Sequence, residues 1–286
     1  MPKTLTVGGV PEHFNWPWRL AEADGAFTDA GAPVHWVDFP GGTGAMLQAM
    51  ETGDIDVALL LTEGALADAI NANDNVLVKV WVRTPVIWGI HVAADSRLRR
   101  PSHLKGARIA ISRYRSGSHL MAYVDALNRG WPIDALEFVV VGNLDGARRA
   151  LAADEADFFM WERFTTSPLV RSGEWRRLDD CVGPWPALTL AVPKKRLARV
   201  RERLKKALVV ADRYAYNLVR RRHAVAEIST AYGLNPAETA AWFKHVRWSQ
   251  GTRRPTSALR DCADVLLSAG IVEALPTDLD TVWARL

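Results

Sequence analysis

The densest cluster of reactive side chains in the 286-residue sequence is Ser112-Arg113-Tyr114-Arg115-Ser116-Gly117-Ser118-His119. It follows the apolar run 108–112 and precedes helically spaced apolar residues, so it sits where a strand turns into a helix. Two guanidinium groups, several hydroxyls and the free amides of a helix start suit an anionic group such as a carboxylate, sulfonate or phosphate. The bland alternative is a helix capped by Ser116 or Ser118 with arginines in solvent. Thr62-Glu63-Gly64 sits at the end of another apolar run, 55–61, and offers a hydroxyl and a carboxylate to a ligand, or a Thr62 cap to a helix. Thr43 and Gly44 belong to Gly41-Gly42-Thr43-Gly44, a glycine turn opening a helix that Thr43 would cap. It lacks the third glycine of a dinucleotide fingerprint. Glu12, His13, Phe14 and Trp16 lie in the turn after the first strand, where rings either grip a ligand or plug the core. Trp161 and Glu162 close a short strand and pair a stacking surface with an acceptor.

Catalytic constellations are thin, and no catalytic residue, metal ligand or cofactor is assigned. The seven histidines show no HxxxH or HExxH spacing, and no GxSxG turn occurs. Cys181 and Cys262 stand outside any CxxC or Cys/His cluster, so zinc is not expected and a single bridge stays open. Glu12, Glu63 and Glu162 are the carboxylates available for acid–base work.

The elements that must position these residues alternate. Strands are read at 4–10, 33–39, 55–61 and 76–82, with helices at 18–29, 43–50 and 65–70 between them. The middle third repeats the pattern with strands at 88–94, 108–112, 138–141 and 157–160 and helices at 117–128 and 145–152. A strand at 187–192 then leads into helices at 194–222, 224–232, 236–245 and 256–268, with a last short one near Leu279. Such βαβ repetition predicts α/β units with largely parallel sheets, and such sheets bind ligands beyond the carboxyl ends of their strands.

Composition is ordinary for a globular chain, apart from 12 Trp. The net charge of +4 is unevenly spread: residues 1–90 carry −7, 91–187 carry +2, 188–222 carry +10 and 223–286 carry −1. The surplus lies in one stretch whose apolar residues Leu197, Val200, Leu204, Leu208, Ala211, Tyr214 and Leu218 recur at helical spacing. A surface helix with a solvated basic face explains it without nucleic acid. No apolar run reaches the ~18 residues of a membrane span. The start Met1-Pro2-Lys3-Thr4 is no secretory signal, so the sequence as it stands is expected to be cytoplasmic, or periplasmic if a signal was removed.

Taken in order, Gly8–Pro11, Pro40-Gly41-Gly42-Thr43-Gly44-Ala45-Met46 and Gly53-Asp54-Ile55-Asp56-Val57-Ala58 with Thr62-Glu63-Gly64 resemble the type II periplasmic-binding-protein superfamily. The likeness is to its binders of nitrate, alkanesulfonates, taurine and thiamine-pyrimidine precursors. The runs 112–125 and 158–166, with Gly183-Pro184-Trp185-Pro186, look like a branch found in bacteria and fungi that often lacks an export signal. The resemblance implies an α/β fold of two lobes joined by a hinge of two crossing strands, with a helical C-terminal tail. Lobe 1 would comprise 1–90 plus 190–286, and lobe 2 91–189, with Trp88 and Trp185 packing the hinge. It implies a monomeric small-molecule binder that closes on an anionic or heteroaromatic solute, with an ABC permease as the possible partner and no membrane insertion. The same superfamily holds enzymes: thiamine-pyrimidine synthases, desulfinases and menaquinone-pathway dehydratases. The cysteine-rich segment of the first and the cleft cysteine of the second have no counterpart here.

Overall fold

A computed structural model describes residues 3–72 and 74–286. The chain divides into two compact units. Unit 1 runs to Thr84 and returns over Trp185–Leu267 and Val272–Leu286, while unit 2 comprises Pro85–Pro184 and Ser268–Ile271. The chain therefore passes between units at Thr84/Pro85 and Pro184/Trp185, and again, briefly, at Leu267/Ser268 and Ile271/Val272.

Unit 1 is built on strands β1 (Leu5–Gly9), β2 (Val34–Asp38), β3 (Val57–Leu61) and β4 (Asn75–Val82). A late strand, β10 (Leu188–Pro193), inserts between β3 and β4 to give the order β2-β1-β3-β10-β4. β1 is parallel to β2 and β3, and β10 is antiparallel to both of its neighbours. All eight residues of β4 are buried although it lies at the sheet edge, because Trp283 bridges Leu77 and Trp248 bridges Val82. The helices of this unit are α1 (Trp16–Ala23), α2 (Ala26–Asp29), α3 (Gly42–Thr52), α4 (Thr62–Asn71), α8 (Lys194–Leu218), α9 (Ala224–Tyr232), α10 (Pro236–His245) and α11 (Thr256–Ser268). The helix expected over 18–29 is two helices, since Gly25 turns left-handed at φ 70° and splits it. Trp18 is fully buried and packs on Phe27, Trp36 and Trp81 with ring centroids 5.4, 6.3 and 5.8 Å away.

The basic helix α8 is 25 residues long and buries Val200, Leu204, Ala207, Leu208, Ala211, Ala215 and Leu218. Part of its charge is spent within the fold. Arg199 pairs with Asp56 at 3.2 Å and Arg196 donates to the Ile55 carbonyl at 2.9 Å, tying the helix to the turn before β3.

Unit 2 repeats the plan with β5 (Ile87–Ala93), β6 (Arg108–Ile111), β7 (Glu137–Val140), β8 (Phe158–Glu162) and β9 (Trp175–Val182), in the order β7-β6-β8-β5-β9. Its helices are α5 (Gly117–Asn128), α6 (Leu144–Ala152) and α7 (Ser167–Arg171). Ala110, Ala147, Ala150, Leu151, Phe159 and Trp175 form one core cluster. β9 has no counterpart among the strands read from sequence. Its residues Trp175-Arg176-Arg177-Leu178-Asp179-Asp180-Cys181-Val182 carry four charges because it is an edge strand that buries only Trp175 and Cys181. Among the described residues, no helix is long and apolar enough to cross a membrane.

Candidate functional site

In unit 1 the parallel strands β1, β2 and β3 end at one side of the sheet, and the N-termini of α3 and α4 start there. Thr43 is not the cap of α3. The helix begins at Gly42, the cap position is Gly41, and Thr43 is buried in the first turn. Thr62 does not cap α4 either. Leu61 holds that position, and the Thr62 hydroxyl shares a buried 2.7 Å hydrogen bond with Thr189 of β10. The two helix starts approach so closely that a Cβ on Gly64 would lie 2.7 Å from Thr43 Cγ2. Neither cap residue offers a side-chain oxygen, so the first-turn amides of two helices bring partial positive charge to this strand end. Gly44 lies half-buried on the same first turn of α3.

Glu63 lies in the first turn of α4, 3% exposed, and its Oε2 accepts from Trp185 Nε1 at 2.8 Å. Burial pushes its carboxyl up to about 7, against the smaller opposing effects of its backbone and Trp185 hydrogen bonds. Near neutral pH it therefore donates or accepts a hydrogen bond with comparable ease. Trp185, expected only to pack a hinge, is the partner of the most perturbed carboxyl of unit 1. Their separation of 122 positions follows no spacing rule.

The turn after β1 is a 3-10 turn, His13–Asn15, in which His13, Phe14 and Asn15 are all buried. His13 stacks on Phe14 at 4.5 Å and meets Trp242 edge-on at 4.1 Å, and burial lowers its pKa to about 3, so it is neutral. The Phe14 carbonyl accepts from the indoles of Trp81 at 3.1 Å and Trp248 at 2.9 Å. His13 and Phe14 are thus part of the aromatic core. Trp16 is half-buried and Glu12 half-exposed at the same turn, and Trp16 lies 5.8 Å from Tyr232.

In unit 2 the Ser112–His119 turn joins β6 to α5. Ser118 Oγ accepts from the Ser112 amide at 3.0 Å and shares hydrogen bonds with Ser116 Oγ at 3.0 Å and Ser112 Oγ at 3.4 Å. Ser116 is the cap of α5, accepting from the His119 amide, and Gly117 is the first helical residue. Ser116→Ala is expected to lower thermal stability by about 1 kcal/mol, the usual worth of an N-cap, as read by calorimetry. Arg113 is half-buried and Arg115 exposed. Arg115 is left-handed at φ 66°, an unusual conformation for a side chain with a Cβ. Its amide donates to His119 Nδ1 at 3.2 Å, which leaves the imidazole proton on Nε2. Burial keeps that ring neutral, with its pKa lowered to about 4. Tyr114 is 59% exposed, its ring edge-on to His119. Hydroxyls, a half-buried guanidinium and a helix start thus gather at one turn, an arrangement suited to an anion.

Glu162 ends β8 and is buried, not paired at the surface. Its Oε2 accepts from the Thr165 amide and hydroxyl, each at 2.8 Å. Desolvation pushes this carboxyl, too, up to about 7. Trp161 beside it is half-buried and stacks on Phe159 at 5.2 Å. Sequence reasoning missed His91 and Thr166, whose ring Nε2 and hydroxyl lie 3.0 Å apart behind Glu162. Both cysteines are free and buried, and burial raises both thiol pKa values, that of Cys181 to about 12. Neither supplies a ready thiolate. Among the described residues, no group of three or more His, Cys, Asp or Glu is placed to hold a metal ion.

Two five-stranded sheets of matching order, each ending its central strands in a polar turn, define a class: the chain has the type II periplasmic-binding-protein fold. Within it, residues 88–181 match the family model described as Ca3427-like PBP. The Candida albicans CA3427 gene product, which carries the generic periplasmic binding protein fold, superposes with a TM-score of 0.90 at 23% identity, over 99% of this chain and 96% of that one. The alkanesulfonate-binding protein SsuA from Xanthomonas axonopodis pv. citri, bound to MOPS, gives a TM-score of 0.82 at 20% identity over 100% and 99%. The ligand-binding component of an ABC-type import system from Staphylococcus aureus gives 0.77 at 12% over 99% and 97%. No curated protein sequence matches.

Proposed function

We propose that the chain is a solute-binding protein for a small anionic or heteroaromatic molecule. The observation that carries this reading is the Ser112–His119 turn, where Arg113, three serine hydroxyls and the start of α5 meet. The polar end of the unit 1 sheet, with Thr43, Thr62 and Glu63, is a second cluster of groups suited to a polar ligand. Glu63 and Glu162 serve ligands that offer either a donor or an acceptor. Relatives in fold include an alkanesulfonate binder and an ABC import component, which supports an anionic ligand and, as part of the proposal, a permease that receives it. Lobe closure on the ligand belongs to the same reading and would be read as a fall in radius of gyration by X-ray scattering.

Incubation with a metabolite mixture, followed by mass spectrometry of free and retained species, tests the proposal. Retention without conversion is expected. A new product would replace it with enzymatic use of the two raised carboxyls. For a retained anion, Arg113→Ala is expected to cost roughly 1.5–3 kcal/mol of binding free energy, the range of a charge-assisted hydrogen bond. Unchanged affinity by calorimetry would remove Arg113 from the site.

A further inference from the structure

Unit 1 carries a groove of about 880 Å³ that shares no residue with the strand-end cluster around Glu63. Arg83, Arg253 and Arg260 line it above a floor that includes Pro186 and Trp248, and Ser257 of the first turn of α11 adds a hydroxyl. All three arginines are exposed, and among the described residues none has an ion pair. Among the described residues no acidic side chain lines the groove, and the first turn of α11 contains none. Arg254, which also reaches it, is neutralised by Asp280 on its far side. Three unneutralised cations beside the positive end of a 13-residue helix form a concentrated positive field.

The groove is also held in shape. Lys79, fully buried in β4, donates to Asp212 Oδ2 at 3.1 Å and to the carbonyls of Ser249 and Gly251. Asp212 in turn accepts from the Gly251 amide at 3.0 Å. Trp248 is fixed by its bond to the Phe14 carbonyl. The segment that delivers Arg253 is thus tied to the sheet at its root, so a ligand need not order it first. The volume is in the range of small-molecule sites and exceeds what one inorganic anion fills.

We propose that this groove is a second ligand site, for a small organic polyanion of the nucleoside-diphosphate kind. Its phosphates would meet Arg253, Arg260 and the start of α11, and its body would cover the apolar floor. Calorimetry with ADP tests it, with adenosine and pyrophosphate as comparators. Saturable binding of ADP is expected, with adenosine at least about tenfold weaker and affinity falling as salt is raised. Arg253→Gln and Arg260→Gln should each weaken ADP about tenfold or more, as expected for losing a charge-assisted bond. Their melting temperatures should stay near wild type, since both side chains lie in solvent. Arg113→Ala should leave ADP binding unchanged, which separates this groove from the Ser112–His119 turn. Absence of saturable ADP binding, indifference to both glutamine variants, or loss of binding in Arg113→Ala would each overturn the proposal.

Discussion

Lys79→Ala is expected to lower the unfolding free energy by about 3–5 kcal/mol, the usual cost of removing one partner from a buried ion pair. The Lys79 side chain is 0% exposed and that of its partner Asp212 15%, so neither group can exchange its bond for water. Removing the ammonium leaves a poorly hydrated carboxylate facing two carbonyls, those of Ser249 and Gly251, that have lost their donor. Burial already weighs against both charges, lowering the Lys79 pKa and raising that of Asp212, so the pair survives on its mutual attraction and its hydrogen bonds. Urea titration followed by tryptophan fluorescence should show a lower midpoint with an unchanged slope. The double variant Lys79→Met with Asp212→Leu should recover much of the loss, because it buries no lone charge. A single variant as stable as wild type would mean that water reaches the pair.

Lys79 also marks how far the sequence can be read. The run 76–82 is legible as a strand because six of its seven residues are apolar, four of them valine, and the lysine does not break the pattern. That the lysine is buried, and paired with a residue 133 positions away, has no local signature. The alternation of strands and helices was readable for the same local reasons: apolar periods, glycine stops and a Ser116 cap. The failures were tertiary. β9 has no counterpart in the sequence reading because an edge strand can carry charges that hide its period. Thr43 and Thr62 looked like caps because their type suits that position, yet one lies inside its helix and the other bonds to β10. The turn Ser112–His119 was legible as a strand-to-helix turn because its groups are contiguous. The Glu63–Trp185 contact was not, because it exists only once β10 returns beside β3.

The second large effect is a pH dependence that only comparison of variants exposes. Between pH 4.5 and 7 the folded chain keeps a proton on Glu63 that the unfolded chain releases, because burial lifts the folded pKa from 4.5 to about 7. Stability therefore falls as pH rises across that window, by about 3 kcal/mol for a shift of this size, and is flat above it. Glu162 in unit 2 behaves the same way. The buried histidines act in the opposite sense. His13, His91 and His119 are held neutral with pKa values of about 3, 4 and 4, so each resists folding as pH drops below 6.5. In the wild-type profile the two groups oppose each other between pH 4.5 and 6.5. Subtracting variants isolates one of them. Glu63→Gln keeps an oxygen that can accept from Trp185 but cannot ionise, so its stability relative to wild type should rise by about 3 kcal/mol from pH 4.5 to 7. Denaturant titrations at intervals of half a pH unit would show this slope, and a constant difference would place the Glu63 pKa near its ordinary value. A ligand anion set against Glu63 would disfavour the carboxylate further and so bind with proton uptake. Calorimetric enthalpies that vary with the ionisation heat of the buffer would register it, and the variation should disappear in Glu63→Gln.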